Sequence, residues 1–152
     1  MSRKARHIQS ESQVGSSYLK TCLSLFLALV SLATAAQAQR VHDIRLEANP
    51  EKETYRFTPP LITARAGDVL LFRAGKGVPH SIVFESTGLT EAAREALNGA
   101  MPRRPGDLSS PMLTQEGSQY RIVVPKIPPG IYQFYCLPHR AYDMRGQLRI
   151  TR

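Results

Sequence analysis

From Ile44 onward the apolar positions mostly recur at every second residue. Ile44, Leu46 and Ala48 alternate with Arg45 and Glu47, the pattern of a strand with one face buried. Further strand candidates lie at Leu61–Ala64, Val69–Phe72, Ser81–Phe84, Tyr120–Val124, Ile131–Tyr135 and Gln147–Thr151. Turn-forming residues separate them: Asn49-Pro50, Pro59-Pro60, Ala66-Gly67-Asp68, Gly75-Lys76-Gly77, Pro128-Pro129-Gly130 and Arg145-Gly146. Short strands punctuated in this way predict an all-β sandwich or barrel, and a chain of about 110 residues can bury one such core. One segment has a different period. Leu89, Ala92, Ala93, Ala96 and Leu97 recur at helical spacing, Thr90 is placed to cap the start, and Asn98-Gly99 reads as the stop. The apolar face of that short helix is expected to pack across one end of the sandwich. Met101 to Pro111, with three prolines, reads as loop.

The N-terminal part follows other rules. Arg3, Lys4, Arg6 and Lys20 precede a nearly unbroken apolar or small run from Cys22 to Ala36, and Ala36-Gln37-Ala38 closes it as an A-x-A signal. This is the layout of a secretory signal peptide over residues 1–38, leaving a domain at residues 39–152. The competing arrangement is an uncleaved anchor, but the apolar run falls short of the roughly 20 residues a membrane span needs. The expected location is therefore periplasmic or otherwise extracytoplasmic, with no membrane span after cleavage.

Cleavage changes the charge and the cysteine count. The whole chain carries +8, and losing four basic residues and one acidic residue leaves +5. These charges are scattered, with no basic stripe or reading motif for nucleic acid. A basic surface facing an acidic protein or an anionic membrane is the better use of them. Cys22 leaves with the leader, so Cys136 is the only thiol of the mature chain. Exported proteins generally pair their cysteines, and a lone thiol there is exposed to oxidation unless something holds it. A metal ion would do so.

The chemistry around Cys136 supports that reading. Tyr135-Cys136-Leu137-Pro138-His139-Arg140-Ala141-Tyr142-Asp143-Met144 sets a thiolate, an imidazole and a thioether in the order Cys-x2-His-x4-Met. Cys136 ends a strand, Pro138 stiffens the turn that returns His139, and four residues later Met144 comes back to an axial position. One loop leaves a side of the ion open, and His80, in Val78-Pro79-His80-Ser81-Ile82-Val83-Phe84, is the candidate to close it. Ser81 is placed to support the site by hydrogen bonds. Two imidazoles, one thiolate and a weak axial thioether form the donor set of blue-copper electron-transfer sites. Such a set suits neither Cu(I) nor Cu(II) fully, so little moves when an electron arrives. Zinc is the competing ion, but a thioether is a poor zinc ligand. Each of the four residues alone has an ordinary structural use, and it is their combination in an exported chain that points to metal. His42, with no partner nearby in sequence, reads as a surface residue.

On these residues the chain resembles the cupredoxins, type 1 blue-copper proteins, of the plastocyanin and pseudoazurin group. Thr58 to Val69 is similar to the family's strand leading into its Ala-Gly-Asp turn. Pro79 to Phe84 resembles its first-histidine strand, and Pro129 to Cys136 its run into the cysteine. The likeness covers most of Ile44 to Arg152. It implies a Greek-key sandwich of about eight strands and one copper ion held by His80, Cys136, His139 and Met144. Two features depart from the family: Ser81 stands where it usually has Asn, and Arg140-Ala141-Tyr142-Asp143 where it has a small, glycine-rich stretch. The acidic docking patches of photosynthetic members are not evident.

The expected function is one-electron transfer between exported redox partners, by a monomer with no catalytic residues. His139 would be the electron port. Leu137, Pro138, Val78 and Pro79 would supply an apolar contact patch, and Arg140, Arg145 and Lys76 would steer a partner with an acidic face. The alternative is a periplasmic copper carrier, or chaperone, for oxidase assembly. That role favours exposed clusters of Met and His, and Met101 and Met112 are not grouped with Met144.

Overall fold

A computed structural model describes residues 38–77 and 79–152 of the chain. The predicted leader, apart from Ala38, and the proposed contact residue Val78 lie outside the described residues. Among the described residues, eight strands form two four-stranded sheets. The first has the order β2-β1-β4-β6, with β1 Val41–Asn49, β2 Thr54–Thr58, β4 Val69–Ala74 and β6 Gln119–Val123. The second has the order β3-β8-β7-β5, with β3 Leu61–Ala64, β5 Val83–Phe84, β7 Gly130–Tyr135 and β8 Arg145–Ile150. Pairs β1–β4 and β3–β8 are parallel, and the other pairs are antiparallel. The expected β-sandwich is present.

Alternation decides which face of each strand is buried. Ile44 and Leu46 of β1, Tyr120 and Ile122 of β6, Tyr132 and Phe134 of β7, and Leu148 and Ile150 of β8 all join one core. At its centre Phe57, Phe72 and Phe84 meet Phe134 edge to face, with centroids 4.9, 5.7 and 5.7 Å away. That geometry suits ring quadrupoles and fixes the spacing of the facing sheets.

Three expectations need correcting. β2 was not foreseen, although Tyr55 and Phe57 alternate with Arg56; the charged Glu51-Lys52-Glu53 just before it hides the pattern. The strand expected over Ser81–Phe84 shrinks to Val83–Phe84, because the preceding backbone donors are used elsewhere. The Ser81 N–H donates to the Cys136 thiol sulfur at 3.4 Å, and the Ile82 N–H donates to Ser110 Oγ at 2.9 Å. The helix, α1 Glu91–Ala100, runs through Asn98-Gly99 rather than stopping there. Asn98 acts through its side chain instead, accepting from the Leu108 N–H at 2.7 Å and donating to Asp107 at 2.7 Å, which ties the proline-rich loop to the helix. Thr90 does cap α1, accepting from the Ala93 N–H at 3.3 Å, and Ala93 and Leu97 pack into the core as expected.

Candidate metal centre

The end of β7 delivers Cys136 into the core, fully buried. The loop beyond it is clasped at its ends, where the Cys136 N–H donates to the Met144 carbonyl at 3.0 Å. Inside the clasp the His139 N–H donates to the Cys136 carbonyl at 3.2 Å, and the Tyr142 and Met144 N–H groups donate to the His139 carbonyl at 3.1 and 3.3 Å. Asp143 turns the chain with φ 56°, a left-handed conformation that a short polar side chain tolerates. Met144 is thereby returned to the core beside Cys136, fully buried.

His80 arrives from the opposite side of the sequence. It pairs with Leu113 through two backbone hydrogen bonds of 3.0 and 2.8 Å, a link the sequence did not suggest. Ser81 ties the two ligand segments together. Its N–H donates to Cys136 Sγ, and its Oγ accepts from the Leu137 N–H at 3.1 Å. The supporting role expected of Ser81 is realised in that geometry.

The potential ligand atoms of His80, Cys136 and His139 all lie within 4.8 Å of one another. Both imidazoles turn Nδ1 toward the one sulfur, at 3.8 Å for His80 and 3.4 Å for His139. Donors about 2.0–2.3 Å from one ion, spread at near-tetrahedral angles, lie about 3.5 Å apart. The observed separations therefore fit a single small ion among the three.

The electrostatics agree. Burial lowers the His80 pKa to about 4, helped by the neighbouring His139, while the Lys76 carbonyl pulls weakly the other way. His80 Nε2 has no hydrogen-bond partner among the described residues, the Lys76 carbonyl falling outside hydrogen-bond geometry. Burial also lowers the His139 pKa. Both rings are thus neutral with lone pairs free near pH 7. Burial pushes the Cys136 thiol upward, against the pull of the Ser81 and His139 N–H groups and the Ser81 hydroxyl. A thiolate here needs a cation beside it. The donor set and its spacing fit copper.

Around the site, Tyr55 of β2 lies with its ring centroid 4.9 Å from that of His139, a neighbour missed in the sequence because β2 was missed. Of the residues expected at the partner face, Leu137, Pro79, Arg140 and Lys76 are exposed, and Pro138 and His139 are half-buried. Arg145 is less free than supposed: it pairs with Glu85 at 2.7 Å and Asp143 at 2.8 Å. His42, read from the sequence as a surface residue, is half-buried with Nε2 3.0 Å from Asp68 Oδ2.

The family model of copper binding proteins, plastocyanin/azurin family, matches residues 44–151. The plastocyanin of Prochlorothrix hollandica is 27% identical over 122 residues, covering 80% of this chain and 80% of that protein. That of Vicia faba is 29% identical over 95 residues, covering 62% of this chain and 87% of the relative. Oxidised plastocyanin from Dryopteris crassirhizoma superposes with a TM-score of 0.57 at 25% identity, over 72% of this chain and all of that one.

Proposed function

This chain belongs to the plastocyanin/azurin family of copper-binding proteins, and on that footing we propose that it is an exported one-electron carrier between redox proteins. One copper ion would be held by His80, Cys136, His139 and Met144. The observation that carries this reading is the pair of imidazole Nδ1 atoms facing a single buried sulfur at 3.4 and 3.8 Å.

Bound copper would supply the change between Cu(I) and Cu(II). The protein's own residues do the rest. The clasp between Cys136 and Met144, the Ser81 bridge and the His80–Leu113 pair hold the ligands in place, so accepting an electron requires little rearrangement. Burial of Cys136 and His80 excludes water, and half-buried His139 leaves one ligand near the surface as the route in and out. The partner would carry an acidic face toward Arg140 and Lys76. Residues 1–38 would serve as the leader that exports the domain, a reading supported by the compact unit spanning Ala38–Arg152.

Delivery of copper to an oxidase is the less supported reading. Handing over an ion by ligand exchange needs ligands an acceptor can reach, and here His80 and Cys136 are fully buried.

Optical and paramagnetic spectroscopy of the copper-loaded protein tests the proposal. An intense thiolate-to-copper charge-transfer band is expected, and it should vanish in Cys136→Ser. A colourless Cu(II) complex, or preference for zinc over copper, would rule out the electron-transfer reading.

A further inference from the structure

Neither imidazole has the hydrogen-bonded support that a metal ligand ordinarily has, but His80 is fully enclosed by the core and His139 is only half-buried. Such a ring usually donates its second N–H to a carboxylate or backbone carbonyl, which sets the plane of the ring. Among the described residues, His139 bonds only through Nδ1, toward Cys136 Sγ, and Nε2 has no protein partner. Its backbone is held in the loop, but its side chain makes no capping bond at the head of the one-turn 3-10 segment Arg140–Tyr142.

Aromatic rings pack against the His139 ring instead. Tyr55 lies 4.9 Å from the His139 ring, tilted by 32°. Tyr142 stacks on Tyr55 at 4.1 Å and 22°. The buried His80 ring lies 5.0 Å from His139. Four rings thus run from the buried ligand to Tyr142, which is 55% exposed. Tyr55 comes from β2, whose backbone pairs with β1, so its position does not depend on the ligand loop. Tyr142 comes from the loop itself and bears on Tyr55 from the outside.

Granting His139 as a copper ligand, we propose that Tyr55, backed by Tyr142, is the positioning residue for the His139 imidazole. It holds the ring with Nδ1 toward Cys136 before any metal arrives, by packing instead of by a hydrogen bond. The site is then preformed on its exposed side as well as its buried one. Ring contact is what matters, so a phenylalanine serves and the phenol hydroxyl is dispensable.

The test measures ring order of His80 and His139 by carbon-13 relaxation in the metal-free protein, in Tyr55→Phe, Tyr55→Leu and Tyr55→Ala. Tyr55→Leu keeps most of the apolar volume and guards against loss of folding in the alanine variant. His139 should loosen in Tyr55→Leu and Tyr55→Ala while His80 does not, and Tyr55→Phe should behave as the parent. Copper affinity should fall about tenfold in Tyr55→Leu, the scale for losing a ligand's outer support. Unchanged His139 order in Tyr55→Leu, or equal loosening in Tyr55→Phe, would overturn the proposal. The ring measurement needs no copper, so its failure is separable from the absence of a charge-transfer band in the parent.

Discussion

At the scale of single residues, two substitutions separate the roles packed into one short stretch. Met144 is buried beside Cys136, and as a weak axial donor it would stabilise Cu(II) more than Cu(I). Met144→Leu should therefore retain copper and raise the reduction potential, measured by voltammetry; loss of copper would make Met144 a structural ligand. Two residues on, Gly146 lies opposite Phe134 in the β7–β8 ladder, and a Cβ there would intrude on the Phe134 ring. Gly146→Ala should lower stability by about 1–3 kcal/mol, the usual cost of forcing extra volume into a packed core. Denaturant unfolding of the two proteins gives the comparison. The candidate donor residues stand out in the chain because Cys, His and Met carry their chemistry with them. Tyr55 was not readable as a site residue, since its role depends on a ring contact 84 positions away in sequence.

At the scale of elements, Asp68 joins the start of β1 to the turn between β3 and β4. Its carboxylate accepts from the Arg40 N–H at 3.1 Å, the Arg65 N–H at 3.0 Å and His42 Nε2 at 3.0 Å. Burial alone would raise its pKa, but the His42 hydrogen bond and the Arg65 and Arg40 N–H groups bring it below the ordinary 3.8. A lowered folded-state pKa gives stability that is present above the ordinary value and lost as pH falls through the folded one. Asp68→Asn should cost about 1–3 kcal/mol at neutral pH, the scale for hydrogen bonds to a charged group. It should also flatten the loss of stability below about pH 4, seen in denaturant midpoints against pH. An equal acid slope in both proteins would contradict the assignment. The Ala66-Gly67-Asp68 turn was legible from its residue types. The partners of Asp68 were not, because Arg40 and His42 enter only through the parallel pairing of β1 with β4.

At the scale of the whole molecule, charge and export set the remaining expectations. If residues 1–38 are the proposed leader, the mature protein should begin at Gln39, which an intact mass would establish. The resulting +5 should steer anions, so electron transfer to an anionic iron complex should slow as salt rises, and transfer to a cationic reagent should quicken. The reverse pattern would mean that the field around His139 is not positive. The class of fold, most strands, the capped helix and the candidate cluster of His80, Cys136 and His139 were legible in the chain, because alternation, turn chemistry and ligand type are local properties. β2, the shortened strand after His80 and the passage of α1 through Asn98-Gly99 were not. Each depends on which distant group takes a backbone donor or covers a side chain. The same holds at the metal centre: the loop spacing brings Cys136, His139 and Met144 near one another. Only the pairing of β5 with β7 brings His80 to the same sulfur, and only the packing of the two sheets lays Tyr55 beside His139, since those contacts join segments with no local reason to meet.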